Sequence, residues 1–253
     1  MEKTQYNGPE MTAKKVVVLL LTASAILVLF LTRTVKSEAE PEIETSWQQV
    51  ERSHTYISPY DSLFRQYADS VCDWKMLAAI AYVESKFDTA AVSGSGARGL
   101  MQIMPATYSR MLARMGVRDT SARSIELDIR VAVRYLDELN STFSFISDGE
   151  RMNYILGSYN GGPSHIFDAM RIARKNGQNR YSWCSLTPVI MSLSDPAVYN
   201  DSVCRSGCFY GTETLQYVSR VNRKYNEYRR QELLFQAIEK LAENNRNEIH
   251  HNN

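Results

Sequence analysis

Neither sign of charge is in excess: 29 Lys and Arg stand against 28 Asp and Glu, for a net charge of +1. That balance speaks against a nucleic-acid partner, which calls for a basic surplus on one face. It also speaks against simple electrostatic capture of an anionic polymer. Cysteine is sparse, with four residues, Cys72, Cys184, Cys204 and Cys208. Cys204-x3-Cys208 has the look of half a metal site, but no His or Cys pair nearby completes the four ligands zinc usually takes. No metal and no cofactor is therefore expected. His250-His251, in an Asn-rich tail, reads as a solvated chain end. No internal repeat occurs, and no stretch alternates polar and apolar residues long enough to make a sheet. The length allows one core-bearing domain, and the 44% hydrophobic fraction is ordinary for a globular one.

Long apolar runs are absent but for one. Val16 to Thr32 carries no charge, follows Lys14-Lys15 and ends at Arg33. It sits at the short end of the roughly 17–25 residues that span a bilayer. The only Ala-x-Ala, Ala23-Ser24-Ala25, lies mid-run, a poor place for signal cleavage. No Cys is near to carry a lipid. The segment is expected to be an uncleaved anchor in a lipid bilayer over 16–32, with residues 1–15 cytoplasmic and everything from 33 onward outside the cytoplasm. Residues 33–53 are acidic and poor in apolar positions, which reads as a linker. A domain is expected over 54–230, followed by a C-terminal helical extension and tail over 231–253.

Within that domain the patterning is helical. Asp73 is placed to cap a helix from Trp74 to about Lys86. Helices are also expected over about 124–140, carrying Ile125, Ile129, Ala132, Val133 and Leu136, and over about 150–159. The latter is expected to stop at Asn160-Gly161-Gly162, with Pro163 in the first turn of the next. Residues 176–211 read as irregular. A long helix follows from about 213 toward 244, with an apolar stripe of Leu233, Leu234, Ala237, Ile238 and Leu241.

One residue breaks the pattern of the first helix. Glu84 follows Leu77 by seven positions, Ile80 by four and Ala81 by three, so it shares their face. A carboxyl on a core-facing stripe loses hydration and its pKa rises. A carboxylic acid that stays protonated near neutral pH can donate to a leaving oxygen. Periodicity alone also allows a plainer reading, a Glu at a helix end paired with Lys86 or an Arg. The following stretch, Ser93-Gly94-Ser95-Gly96-Ala97-Arg98-Gly99, contains a literal G-x-G-x-x-G. It has no strand before it, so a dinucleotide site is excluded.

Four motifs in order supply what periodicity cannot. Glu84-Ser85, Gly99-Leu100-Met101-Gln102, Ser158-Tyr159-Asn160 and Tyr217-Val218 resemble the signature of the soluble-lytic-transglycosylase domain. The run Asp73 to Tyr82 is most similar to the catalytic domain of membrane-bound lytic murein transglycosylases of the F type. The resemblance covers about residues 55–230. It implies a mainly α, lysozyme-like helical domain acting on peptidoglycan glycan strands in the bacterial periplasm. It implies cleavage of the β-1,4 bond between N-acetylmuramic acid and N-acetylglucosamine without water, the sugar's own 6-hydroxyl closing a 1,6-anhydro ring. Glu84 would be the catalytic acid and then the base, with the substrate's acetamido group assisting. By the same resemblance, Ser93 would lie near that acetamido group, and Gln102 and Met104 would line the sugar site. Tyr159 would contact the glutamate region, Asn160 would shape the cleft, and Tyr217 would face Glu84. Ser85 is expected to support the backbone rather than perform chemistry.

Some features depart from the family pattern. The third motif begins with Ser158 where Ala is usual. F-type enzymes carry a solute-binding-like domain ahead of the catalytic one, and here only a linker precedes it. The Cys-bearing stretch 184–208 lies outside the signature, and a Cys204–Cys208 or Cys184–Cys204 disulfide is one expectation for it. Two rival functions remain open. A lysozyme-type hydrolase needs a second carboxylate, for which Asp88 is a poor candidate. A non-enzymatic glycan-binding module would be expected to lack the glutamate.

Overall fold

Asp73 does cap the first predicted helix. Its carboxylate accepts from the N–H groups of Lys75 and Met76 at 2.9 and 3.0 Å. This is seen in a computed structural model that describes residues 57–117 and 123–251. The expected anchor at 16–32, the linker at 33–53 and the rest of the N-terminus lie outside the described residues. In chain order the helices are α1 (Asp61–Tyr67), α2 (Trp74–Ser85), α3 (Pro105–Arg114), α4 (Ile125–Thr142), α5 (Asp148–Gly161), α6 (Pro163–Lys175), α7 (Trp183–Ser192), α8 (Pro196–Tyr199) and α9 (Gly211–His251). Among the described residues there is no strand, only the isolated bridges Val92–Arg98 and Arg98–Ile103. The chain is mainly helical, as expected.

The centre of the fold is α2. A one-sided stripe was expected, yet Trp74 and every residue from Met76 to Ala81 is buried. Ala78, Ala79 and Ala81 explain this, because small side chains let neighbours close in on every side. Leu77 and Ile80 meet Leu100, Met101, Ile129, Leu136, Tyr217 and Val221 in one core. A second core gathers Phe143, Tyr154, Ile166, Met170, Leu186 and Ile190. Each such side chain contributes roughly 1.5–3 kcal/mol on burial. Helix α9 ties the two together, packing on α2, α5 and α7. The Tyr225 hydroxyl donates to Asp73 at 2.7 Å, and Lys75 pairs with Glu232 at 2.7 Å.

Several expectations are corrected. Residues 176–211 are not irregular throughout, since they contain α7 and α8. Pro188 sits inside α7, and the Ser- and Asn-rich composition hides the apolar Leu186, Val189 and Ile190. Helices α1 and α3 were not anticipated: α1 is short, and Pro105 at the start of α3 reads equally well as a breaker. Helix α5 ends within the expected Asn160-Gly161-Gly162 run, its last turn closing at Gly162, where φ is +85°. All four cysteines are free, so neither expected disulfide is formed. Leu233, Leu234 and Ile238 on α9 are 61%, 64% and 54% exposed. Among the described residues no helix is long and apolar enough to cross a membrane.

Candidate functional site

Glu84 lies in the last turn of α2, and Lys86 closes the helix in the left-handed conformation, φ +56°. Lys86 does not pair with Glu84: its ammonium sits 3.9 Å over the Tyr82 ring. Among the described residues Glu84 makes no ion pair. It opens onto a cavity of about 600 Å³, which Ser93, Gln102, Met104, Tyr159, Asn160 and Tyr217 also line. All seven residues singled out in the sequence therefore meet in one place.

The loop between α2 and α3 forms one wall, and its shape is built from hydrogen bonds. The Ser85 hydroxyl donates to the carbonyl of Leu100 at 2.8 Å and to that of Ala81 at 3.1 Å. The residue beside Glu84 thus fastens the loop to the helix, as its expected supporting role requires. Gln102 has φ +46°, an uncommon conformation for a residue with a side chain. Its own carboxamide holds it there, donating to Ala91 at 3.0 Å and Gly99 at 2.8 Å. Ser93 lines the cavity, and its Oγ accepts from Ala97 N–H at 2.9 Å.

Gly99 must be glycine. Its φ is +77°, and a Cβ there would fall 2.1 Å from the Asp128 carboxylate. That close approach lets Arg123 clamp the loop to α4, bonding Asp128 and the carbonyl of Arg98, each at 2.6 Å. The G-x-G-x-x-G lookalike is a loop drawn tight against α4.

The opposite wall comes from α5 and α9. The Tyr159 hydroxyl donates to the carbonyl of Met101 at 2.8 Å, and its ring leans on Tyr135, centroids 5.4 Å apart. Tyr159 therefore ties the two walls together and is not merely core. Asn160 is exposed on the cavity wall, and its Oδ1 accepts from the Thr214 hydroxyl at 2.7 Å. Met104 is 43% exposed and is not core either.

Burial pushes the Glu84 carboxyl up from 4.5 to about 7, against the opposing pull of the Tyr217 hydroxyl and the Arg220 guanidinium. Its place at the C-terminal, negative end of the α2 dipole acts in the same upward direction. The Tyr217 hydroxyl is fully buried and close enough to act on Glu84, yet it closes no hydrogen bond of good geometry with any group. Burial and the nearby carboxylate hold it, and Tyr159 likewise, well above the usual phenol range. The result is a carboxyl of raised proton affinity facing a cavity of about 600 Å³, with two buried phenols behind it.

Sequence reasoning missed part of the lining. Arg220, Glu213, Thr214, Phe209 and Tyr210 all reach the cavity from α9 or the segment before it. Arg220, three residues after Tyr217 on one helix face, was findable by spacing. Glu213 is a second carboxylate on the cavity wall, where none but Asp88 had been considered. Asp88 instead caps a local turn, accepting from Ala90 N–H at 2.8 Å, and does not line the cavity.

Comparison with known proteins follows the same residues. Residues 63–182 match the Transglycosylase SLT domain family. Membrane-bound lytic murein transglycosylase F of Maricaulis maris is 35% identical over 178 residues, covering 70% of this chain and 37% of that one. The protein of the same name from Desulfosudis oleivorans is 34% identical over 178 residues, with the same coverage. This chain thus spans 37% of the length of each of these two relatives. Among solved structures, the 70 kDa soluble lytic transglycosylase of Escherichia coli aligns with a TM-score of 0.48 at 24% identity, covering 67% of this chain and 24% of that one. Through residues 63–182 the chain is thus similar to the transglycosylase SLT domain family.

Proposed function

We propose that this protein is a peptidoglycan lytic transglycosylase in which Glu84 acts first as acid and then as base. The observation that carries the reading is the single half-buried carboxyl, raised to about 7, at the cavity that Ser93, Gln102, Met104, Tyr159, Asn160 and Tyr217 also line. Glu84 gives its proton to the glycosidic oxygen between N-acetylmuramic acid and N-acetylglucosamine. It is then a carboxylate, and it takes the proton of the 6-hydroxyl as that oxygen closes the 1,6-anhydro ring. A pKa near the working pH suits both halves, because neither proton transfer is strongly uphill. Ser93 and the carboxamide oxygen of Gln102 orient the sugar. Asn160, held by Thr214, and Met104 flank it. The substrate is glycan strands, and no cofactor takes part. Residues 16–32 anchor the chain in the inner membrane, with the domain in the periplasm.

Glu213 supports a second reading, hydrolysis with two carboxylates. Glu213 is exposed and Glu84 half-buried, and burial raises the Glu84 carboxyl toward the proton affinity a general acid needs. Digestion of purified sacculi and mass analysis of the sugar ends separates the two. Anhydro ends are expected, absent with Glu84→Gln; reducing ends would overturn the non-hydrolytic mechanism.

A further inference from the structure

The segment after α8 has no part in the signature, yet it delivers two aromatic side chains to the cavity. Residues 200–210 make a strap held by α6. The buried Asp168 carboxylate accepts from the N–H groups of Arg205 at 2.9 Å and Ser206 at 2.8 Å. Arg171, paired with Asp168, donates to the carbonyl of Val203 at 2.8 Å. The far end is just as fixed. Phe209 N–H donates to Leu193 at 3.0 Å. Gly211 lies so close to α7 that a Cβ would fall 2.4 Å from the carbonyl oxygen of Ile190.

Between these anchors the Phe209 ring is wedged. It stacks on His165 at 4.3 Å and 9°, and it approaches Gly161 so closely that a Cβ there would lie 2.6 Å from its ring. Phe209 is thus committed to packing. Its neighbour Tyr210 is not: it lines the same cavity and is 78% exposed. A large aromatic ring left bare on a rigid backbone, at the mouth of a polar cavity, presents a flat apolar face at little cost in ordering.

We infer that Tyr210 is a sugar-stacking platform, a specificity-determining residue that receives the apolar face of an N-acetylhexosamine ring at the cavity mouth. The strap positions it there. A pyranose ring is amphipathic, with axial C–H groups on one face and hydroxyls around the edge. An exposed phenol fits the face, and the surrounding Glu213 and Asn160 fit the edge. The inference rests on the proposed glycan-cleaving function.

Its test uses the full chain. On a Glu84→Gln background, binding of an N-acetylglucosamine oligomer is measured by calorimetry for the parent, Tyr210→Ala and Tyr210→Phe. Loss of the ring is expected to weaken binding about tenfold, while Phe keeps it. In the otherwise wild-type enzyme the Ala variant's loss falls on KM rather than kcat. Thermal midpoints stay together, because the side chain packs on little. A parent that binds oligomer, and a wild type that cleaves sacculi, with Tyr210→Ala unaffected, overturn this inference alone. A parent that binds no glycan and a wild type that cleaves none overturn the proposed function and this inference with it.

Discussion

Glu84 and Asp168 are both carboxylates withdrawn from bulk water, and their surroundings drive them in opposite directions. Desolvation pushes both up. Around Asp168 the Arg171 guanidinium and the N–H groups of Arg205 and Ser206 outweigh it, so that carboxyl titrates below its ordinary 3.8. Around Glu84 only one phenol and one more distant guanidinium oppose burial, and the carboxyl rises to about 7. Donors mark a carboxylate that holds structure together, and their lack marks one kept for moving a proton.

The comparison is most easily broken at Glu84. Glu84→Gln is expected to lower lysis of sacculi by at least about 100-fold, the low end of what a general acid contributes. The same substitution is expected to stabilise the fold. Between pH 4.5 and about 7 the unfolded chain releases this proton while the folded chain keeps it. Stability therefore falls as pH rises through that window and stays lowered above it, by about 3 kcal/mol at 1.36 kcal/mol per pH unit. Gln mimics the protonated form. Its thermal midpoint should lie above wild type at pH 8 and match it at pH 4. Equal midpoints at pH 8 would show that Glu84 is not held protonated.

Asp168→Asn tests the other arm. It removes the charge that pairs with Arg171 and weakens the acceptor for the strap, at an expected cost of about 3 kcal/mol in urea unfolding. The wild-type contribution is present above pH 3.8 and is lost as pH falls through the lower folded value, because there the unfolded chain no longer ionises more weakly than the folded one. The two carboxylates thus respond to acid with opposite signs. A neutral Asp168→Asn would show that the donors around it are ornamental.

The asymmetry also explains what could be read from the sequence. Glu84 stood out because it shares a face with Leu77, Ile80 and Ala81, and the four signature motifs then named Gln102, Tyr159, Asn160 and Tyr217 on the cavity wall. Helix α2 and its Asp73 cap were legible for the same reason: caps and periodicity are local. Asp168 was illegible because its meaning depends on Arg205 and Ser206, more than thirty positions away, bonded through backbone groups that every residue carries. Tyr210 and Glu213 were hidden likewise, since only the anchoring of the strap and the start of α9 bring them to the cavity. Helix α7 was missed because Pro188 and the polar residues around it outvote its buried Leu186, Val189 and Ile190.

Smaller effects sharpen the picture at the edge of the site. Ser85→Ala leaves the buried carbonyl of Leu100 without its side-chain donor, and should cost about 1 kcal/mol in urea unfolding. Lysis should drop a few-fold, because the wall carrying Gln102 and Ser93 is no longer fastened beside Glu84. Unaltered lysis would mean that the remaining clamp, Arg123 to Asp128 and Arg98, fixes the loop by itself.

The smallest expected effect is the most specific. Tyr217 is buried, its hydroxyl lacks a hydrogen bond of good geometry, and its influence on Glu84 is to lower that carboxyl's proton affinity. Tyr217→Phe removes the hydroxyl and keeps the ring, so at pH 4, where Glu84 is protonated in the folded chain, the fold should lose nothing. Without that donor the Glu84 carboxyl rises further. An acid that must be protonated to start the reaction then stays competent to higher pH, so the alkaline limb of kcat/KM should move upward. The carboxylate formed in the first step loses its nearest donor, so the maximal rate should fall by less than tenfold. Arg220→Gln should move the limb in the same direction through charge alone. A limb that moves down in Tyr217→Phe would mean that the hydroxyl favours the protonated carboxyl, and the contrast with Asp168 would then rest on burial alone.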